Sequence, residues 1–146
     1  MLLAKLLPIS ILLILSSTVS SRHRQKRHTP VSLYDKEPLV LSLDANNFDR
    51  TVYNSSQATF VEFYAHWCGA CRKIKYKIVD LAKRSQRWHN RVIRVAAVNC
   101  GDSLNDDLCR THEIITYPTL RIFAPKTSSD KLGYGMQVNF CCSTYC

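Results

Sequence analysis

The chain has 146 residues, of which 46% are hydrophobic, and a formal charge of +9. That length suits one ordinary domain, and that apolar fraction excludes a chain too polar to build a core. Lys5, Arg22, Arg24, Lys26 and Arg27 precede residue 31 with no acid among them, so beyond that point the charge falls from +9 to +4 and points to no class of partner.

Residues 1–5 carry one positive charge, residues 6–15 form an apolar run broken only by Pro8 and Ser10, and "SSTVSS" then offers small residues suited to cleavage near Ser20 or Ser21. The apolar run is well short of the roughly 20 residues that a membrane helix needs. Residues 1–21 therefore read as a secretory signal peptide, with an uncleaved anchor as the competing reading. No other stretch approaches that length, so no stable membrane span is expected in the mature chain. Residues 22–30 contain "RHRQKRH". This is most simply a solvated basic arm, although "RQKR" also fits the dibasic pattern cut by processing proteases. Nucleic-acid binding is a poor reading of such an arm in a secreted protein.

From residue 31 onward, strand and helix patterns alternate. "LVLSL" at 39–43 places Leu39, Leu41 and Leu43 on one side of a strand. Asp44 then resembles a helix N-cap, with Phe48 and Val52 one turn apart. Asn54 opens "NSS", a glycosylation acceptor in a secreted chain. "ATFVEFYA" at 58–65 has the apolar, β-branched and aromatic content of a buried strand, with Glu62 as its anomaly. The alternative for Glu62 is a surface acid on an edge strand, but its neighbours read as a central one. Between Cys68 and about Trp88 the period becomes helical, and Cys71, Ile74, Ile78, Leu81 and Ala82 share one face. Arg72, Lys73, Lys77, Lys83, Arg84 and Arg87 crowd the opposite face, most simply as a solvated surface.

"RVIRVAAVN" at 91–99 is another apolar run of strand length. "SLNDDLCRTHEI" spaces Leu104 and Leu108 helically, with Ser103 as its cap. "TYPTLRIF" gives a strand beginning close to Pro118, where the missing donor is tolerated. Beyond Phe123 the pattern weakens into the turn-rich "APKTSSDKLGYG". "MQVNF" allows a short strand, and "CCSTYC" leaves no room for a further helix. The alternation predicts an α/β fold with helices on both faces of its sheet.

Seven cysteines lie in this chain: Cys68, Cys71, Cys100, Cys109, Cys141, Cys142 and Cys146. Secretion puts them in a disulfide-permissive compartment, and an odd count leaves at least one free or paired outside the chain. Cys68 and Cys71, inside "EFYAHWCGACRK", admit three readings. Zinc needs a second pair at similar spacing, which neither Cys100 with Cys109 nor the tail cysteines provide; no metal is expected. A purely structural bridge would close a very short loop and stabilise little. The redox reading has positive support. A strand ends and Cys68 stands where the next helix begins, where free N–H groups and the helix dipole favour an anion. A thiolate is the attacking species, so that position lowers the Cys68 pKa and makes it the nucleophile. Cys71, one turn inward on the apolar face, is shielded from outside reagents and suited to resolving a mixed disulfide.

"FVEFYAHWCGAC" followed later by "YPTL" resembles the thioredoxin superfamily across about residues 39–123. The resemblance implies a central mixed sheet with helices on both faces. It implies that Pro118 is cis and faces Cys68 and Cys71, and that Trp67, Gly69, Ala70 and Tyr117 border the surface that receives client peptide. Glu62 matches the family's buried acid beneath the resolving cysteine, where a carboxyl with a pKa raised by burial takes or gives that cysteine's proton. Within the superfamily, "LY…PLVLSLDANNF", "VEFYAHWCGAC" and "VNCGDSLNDDLCRTHEIITYPTLRIF" resemble the first thioredoxin domain of quiescin sulfhydryl oxidases. That likeness implies a structural disulfide between Cys100 and Cys109.

Three departures qualify it. Ala70 stands where disulfide isomerases carry a thiolate-stabilising histidine, so a less oxidising pair is expected. Tyr76 replaces a helix-kinking proline, which implies a straighter helix. Nothing in 146 residues supplies the second thioredoxin-like domain or the helical flavin domain of a full oxidase, and the fold's usual last helix is missing. The expectation is therefore a thioredoxin domain at 31–124 followed by an irregular cysteine-containing tail at 125–146, as in a truncated relative. No cofactor is expected in this chain, although full-length relatives carry FAD. Expected partners are reduced or misfolded secretory proteins and a flavin-bearing oxidase, in the secretory pathway or outside the cell. The competing class is a substrate-binding fragment of weak turnover. In the tail, Cys141 and Cys142 are adjacent and bridge each other only with strain, so covalent dimers are expected.

Overall fold

The computed structural model describes residues 31–53, 55–126 and 135–138. The predicted signal peptide, the basic arm, Asn54 and the tail cysteines Cys141, Cys142 and Cys146 lie outside the described residues, as does most of the segment in which a last helix was expected to be missing.

Five strands form one sheet in the order β1-β3-β2-β4-β5: β1 (Leu41–Leu43), β2 (Ala58–Tyr64), β3 (Ile93–Asn99), β4 (Thr119–Phe123) and β5 (Met136–Gln137). β1 and β2 run parallel to β3, whereas β4 runs antiparallel to both β2 and β5. The sheet is thus mixed, and β2 lies at its centre.

Side chains alternate across β2 and divide the core. Phe60 and Tyr64 join Val95, Ala97 and Leu120 on one face, under Cys71, Ile78, Val79 and Ala82 of α2 (Gly69–Ser85). Val61 and Phe63 join Ala96, Val98 and Phe123 on the other, against Phe48 and Val52 of α1 (Phe48–Val52) and Cys109 of α3 (Asp106–Thr111). Helices therefore cover both faces. β2 is buried along almost its whole length because both of its faces are covered, which is why its sequence is a continuous apolar run. α2 runs as one helix through Tyr76, which is exposed.

Several local expectations are corrected. Leu39 precedes β1, and Leu39 and Leu41 are exposed while Leu43 is buried, so the three leucines do not share a core face. β1 is a three-residue edge strand, and the core beneath α1 reaches only Leu43. Asp44 does not cap α1 directly. Its Oδ1 accepts from Asn46 N and Asn47 N, closing the turn before a helix whose N-cap position is Asn47. Ser103 begins a 3-10 turn (Ser103–Asn105) capped by Asp102, whose Oδ1 accepts from Leu104 N at 3.1 Å. Leu104 is consequently exposed, and only Leu108 packs inward.

Candidate active site

β2 delivers the chain into a turn in which Cys68 N donates to Ala65 O at 2.9 Å. Cys68 is extended and occupies the N-cap of α2, and its Sγ accepts from Cys71 N at 3.1 Å. A sulfur here therefore takes a backbone donor that the first helical turn leaves without an intrahelical partner. Cys68 and Cys71 are joined as a disulfide with Cα atoms 5.3 Å apart. Cys68 keeps 7% exposure and Cys71 has none, so an approaching sulfur meets Cys68.

The peptide bond between Tyr117 and Pro118 is cis. The Tyr117 carbonyl oxygen lies 3.7 Å from Cys68 Sγ, so this loop faces the disulfide across from α2. Trp67 is exposed and stands edge-on to the Tyr117 ring at 5.9 Å between centroids. Gly69 and Ala70 are exposed beside it. Trp67, Gly69 and Ala70 thus lie exposed next to Cys68, with Tyr117 facing it.

Glu62 is fully buried on the central strand, on the face that carries α2. Its cross-strand neighbours are Ala97 and Leu120, so no cation faces it across the sheet. Tyr34, itself buried, donates its hydroxyl to Glu62 Oε2. Oε1 has no hydrogen-bond partner among the described residues. Burial pushes this carboxyl up to about 7, against the smaller opposing pull of the Tyr34 hydrogen bond.

Cys100 and Cys109 are joined as a disulfide with Cα atoms 5.9 Å apart. The bridge ties the residue after β3 to α3, and Cys100 N donates to Tyr64 O at 2.7 Å. Among the described residues, no group of three or more His, Cys, Asp or Glu side chains could hold a metal ion.

Tyr34, Asn99 and Gly101, which the motifs contain without assigning them a role, also shape the site. Asn99 Oδ1 accepts from His66 N at 3.2 Å and Gly101 N at 3.1 Å. Its Nδ2 donates to Val31 O at 3.3 Å. The end of β3 thereby holds the turn that presents Trp67 and Cys68. The available signal was a glycine two residues past the end of a strand, where the backbone passes close to another segment.

The thioredoxin family profile matches residues 39–137. Protein disulfide-isomerase MPD1 of Saccharomyces cerevisiae is 37% identical over 94 residues, covering 64% of this chain and 28% of that protein. Sulfhydryl oxidase 1 of Cavia porcellus is 39% identical over 87 residues, covering 60% of this chain and 14% of the oxidase. The chain thus spans little more than a quarter of the first relative and a smaller share of the second. Among solved structures, the J-Trx1 fragment of ERdj5 superposes with a TM-score of 0.60 at 29% identity, covering 73% of this chain and 47% of that one. With the fold, the Cys68–Cys71 pair at the start of α2 and a family match over most of its length, the chain belongs to the thioredoxin family.

Proposed function

We propose that the chain is a thiol–disulfide oxidoreductase of the secretory pathway that forms and rearranges disulfides in client proteins. The observation that carries this reading is the asymmetry of the pair: Cys68 at the N-cap of a 17-residue helix beside an exposed tryptophan, and Cys71 fully buried one turn further on.

In the oxidising direction a client thiolate attacks Cys68 Sγ. The client–Cys68 bond forms, the Cys68–Cys71 bond breaks, and Cys71 leaves as a thiolate that takes a proton from Glu62. A second client thiolate then attacks the client sulfur of the mixed disulfide. The client disulfide forms, Cys68 leaves as a thiolate, and two electrons have passed from client to protein. Reduction of a client runs these steps backwards. On this reading the client backbone lies alongside Pro118 and the Tyr117 carbonyl, which is 3.7 Å from Cys68 Sγ, flanked by the exposed Trp67, Gly69 and Ala70. Clients are reduced or misfolded secretory proteins, in keeping with the signal-like start of the sequence. The reduced pair is recharged by an external disulfide or by a flavin-bearing oxidase, since hard redox chemistry with oxygen belongs to such a cofactor.

Insulin reduction by dithiothreitol tests this. The protein is expected to accelerate precipitation of the insulin B chain, and the Cys68→Ser, Cys71→Ser double variant is expected not to. A rate equal to dithiothreitol alone would overturn the enzyme reading in favour of a client-binding fragment.

A further inference from the structure

We infer that Tyr34 is a positioning residue for the resolving cysteine: its hydroxyl, bound to Glu62 Oε2, leaves Oε1 as the atom that exchanges a proton with Cys71. This rests on the exchange activity proposed above and assigns a part to a residue outside the cysteine motif.

Tyr64, two residues beyond Glu62 on the same face of β2, has its hydroxyl engaged with Ser32 Oγ at 2.9 Å and Leu33 N at 3.3 Å. The flanking strands offer Ala97 and Leu120. α2 offers Cys71 to this face of the core. The remaining charges are peripheral: Lys75 lies 6.0 Å from the Tyr34 ring centroid and pairs with Glu37 at 3.4 Å, and Asp35 is exposed. Tyr34 is thus the one hydrogen-bond donor recorded to this carboxyl among the described residues.

Tyr34 is held firmly enough to act as a fixed donor. Its N donates to Ser32 Oγ at 3.0 Å and its O accepts from Glu37 N at 2.9 Å. Its ring stands edge-on to Tyr64 at 5.5 Å. Burial, followed by the neighbouring Glu62 charge, pushes the phenol's own ionisation far upward, so the hydroxyl keeps its proton at any working pH. A phenol that always donates into Oε2 disfavours a carboxylic proton on that oxygen. When Glu62 takes the Cys71 proton, the proton therefore resides on Oε1. The Cys71 S–H bond breaks and the Glu62 O–H bond forms. The thiolate then attacks Cys68 Sγ and expels the client sulfur.

The hydrogen bond also favours the charged form of Glu62, so it holds the carboxyl's midpoint lower than burial alone would set it. Tyr34→Phe removes the hydroxyl and keeps the ring. Two readouts on the full chain test the inference: the titration of Glu62 by carbon NMR of glutamate-labelled protein, and the pH profile of resolution. Resolution is followed as release of thionitrobenzoate from a mixed disulfide that mass spectrometry places on Cys68. Y34F is expected to raise the Glu62 midpoint by about one pH unit, since a hydrogen bond to a charged group is of that size. The rising limb of the resolution profile should move upward with it, and in a Glu62→Gln background Y34F should move nothing. A fluorotyrosine at position 34, a stronger donor, should lower the midpoint instead, and serves if Y34F folds poorly. An unchanged Glu62 midpoint, or a profile shift that persists without the carboxylate, overturns the inference. A wild-type chain that exchanges no disulfides would defeat the activity reading and the resolving role of Tyr34 with it, while the carboxyl titration would still report whether Tyr34 sets Glu62.

Discussion

Gly101 passes so close to Trp67 that a Cβ built on it would lie 3.0 Å from the indole Nε1 and 2.9 Å from His66 Nδ1. The backbone after β3 thus packs directly against the turn that carries Cys68. Its approach is fixed by Asn99, which accepts from both His66 N and Gly101 N. Gly101→Ala is expected to push Trp67 and His66 outward at a cost of about 1–3 kcal/mol, the usual range for overpacking. Denaturant unfolding would show the lost stability, and a changed tryptophan emission would show the displaced ring. Client exchange should slow while the Cys68–Cys71 pair still forms. An unaltered melting curve together with unaltered emission would mean that the turn has slack.

Replacing each cysteine of the pair separately should give unequal results. Cys71→Ser leaves the outer sulfur free to attack and removes the group that releases it. Mixed disulfides with clients should therefore accumulate on non-reducing gels. Of the pair, Cys68→Ser leaves only the fully buried Cys71, and few adducts through the pair are expected. Equal trapping by the two variants would contradict the division of roles.

The motif was readable because it is local. Cys68 and Cys71 take their places from a strand ending and a helix starting within a few residues, and both events are written in nearby side chains. Glu62 stood out because a charged residue interrupted an otherwise apolar run. Tyr34 did not, because it reaches Glu62 from 28 positions away and no periodicity links the two. Asn99 and Gly101 were missed for a related reason: what matters about them is the segment they pass, which only the folded sheet reveals. Leu39 lies outside β1 for another reason: alternation tells which residues share a side of a strand, but not where a short edge strand begins or how much of that side is covered, and β1 at the sheet's edge is covered only at Leu43.

The bridge between Cys100 and Cys109 closes a separation of nine residues. Loop-closure entropy for a ring of that size amounts to about 2–3 kcal/mol. Replacing both cysteines by alanine should lower stability by about that much. Turnover per folded molecule should change little, since Cys100 and Cys109 pack in the core cluster on the opposite face of the sheet from Cys68 and Cys71. The check is a paired measurement of unfolding midpoint and insulin reduction, and a large loss of turnover in fully folded protein would assign the bridge a part in catalysis.

Two buried groups make stability depend on pH in opposite senses. His112 is buried among Phe48, Phe63 and Phe123. Burial, followed by the positive charge of Arg121, lowers its pKa from 6.5 to about 4. The unfolded chain takes up this proton first as pH falls, so the stability tied to a neutral His112 is intact above about 6.5 and drains away down to about 4. Glu62 is the reverse case, raised from 4.5 to about 7. The folded chain holds its proton where the unfolded chain has lost it, so that contribution is intact below about 4.5 and is lost as pH rises through about 7. Each shift corresponds to roughly 3 kcal/mol. Across the overlap, about 4.5 to 6.5, the two slopes oppose and nearly cancel. Wild-type unfolding free energy should therefore be almost flat with pH in that window. Glu62→Gln should uncover a stability that rises with pH, and His112→Phe one that falls. The two variants combined should restore the flat line. A wild-type curve that slopes steeply through the window, or single variants that slope the same way, would show that one of these groups does not titrate as its burial requires.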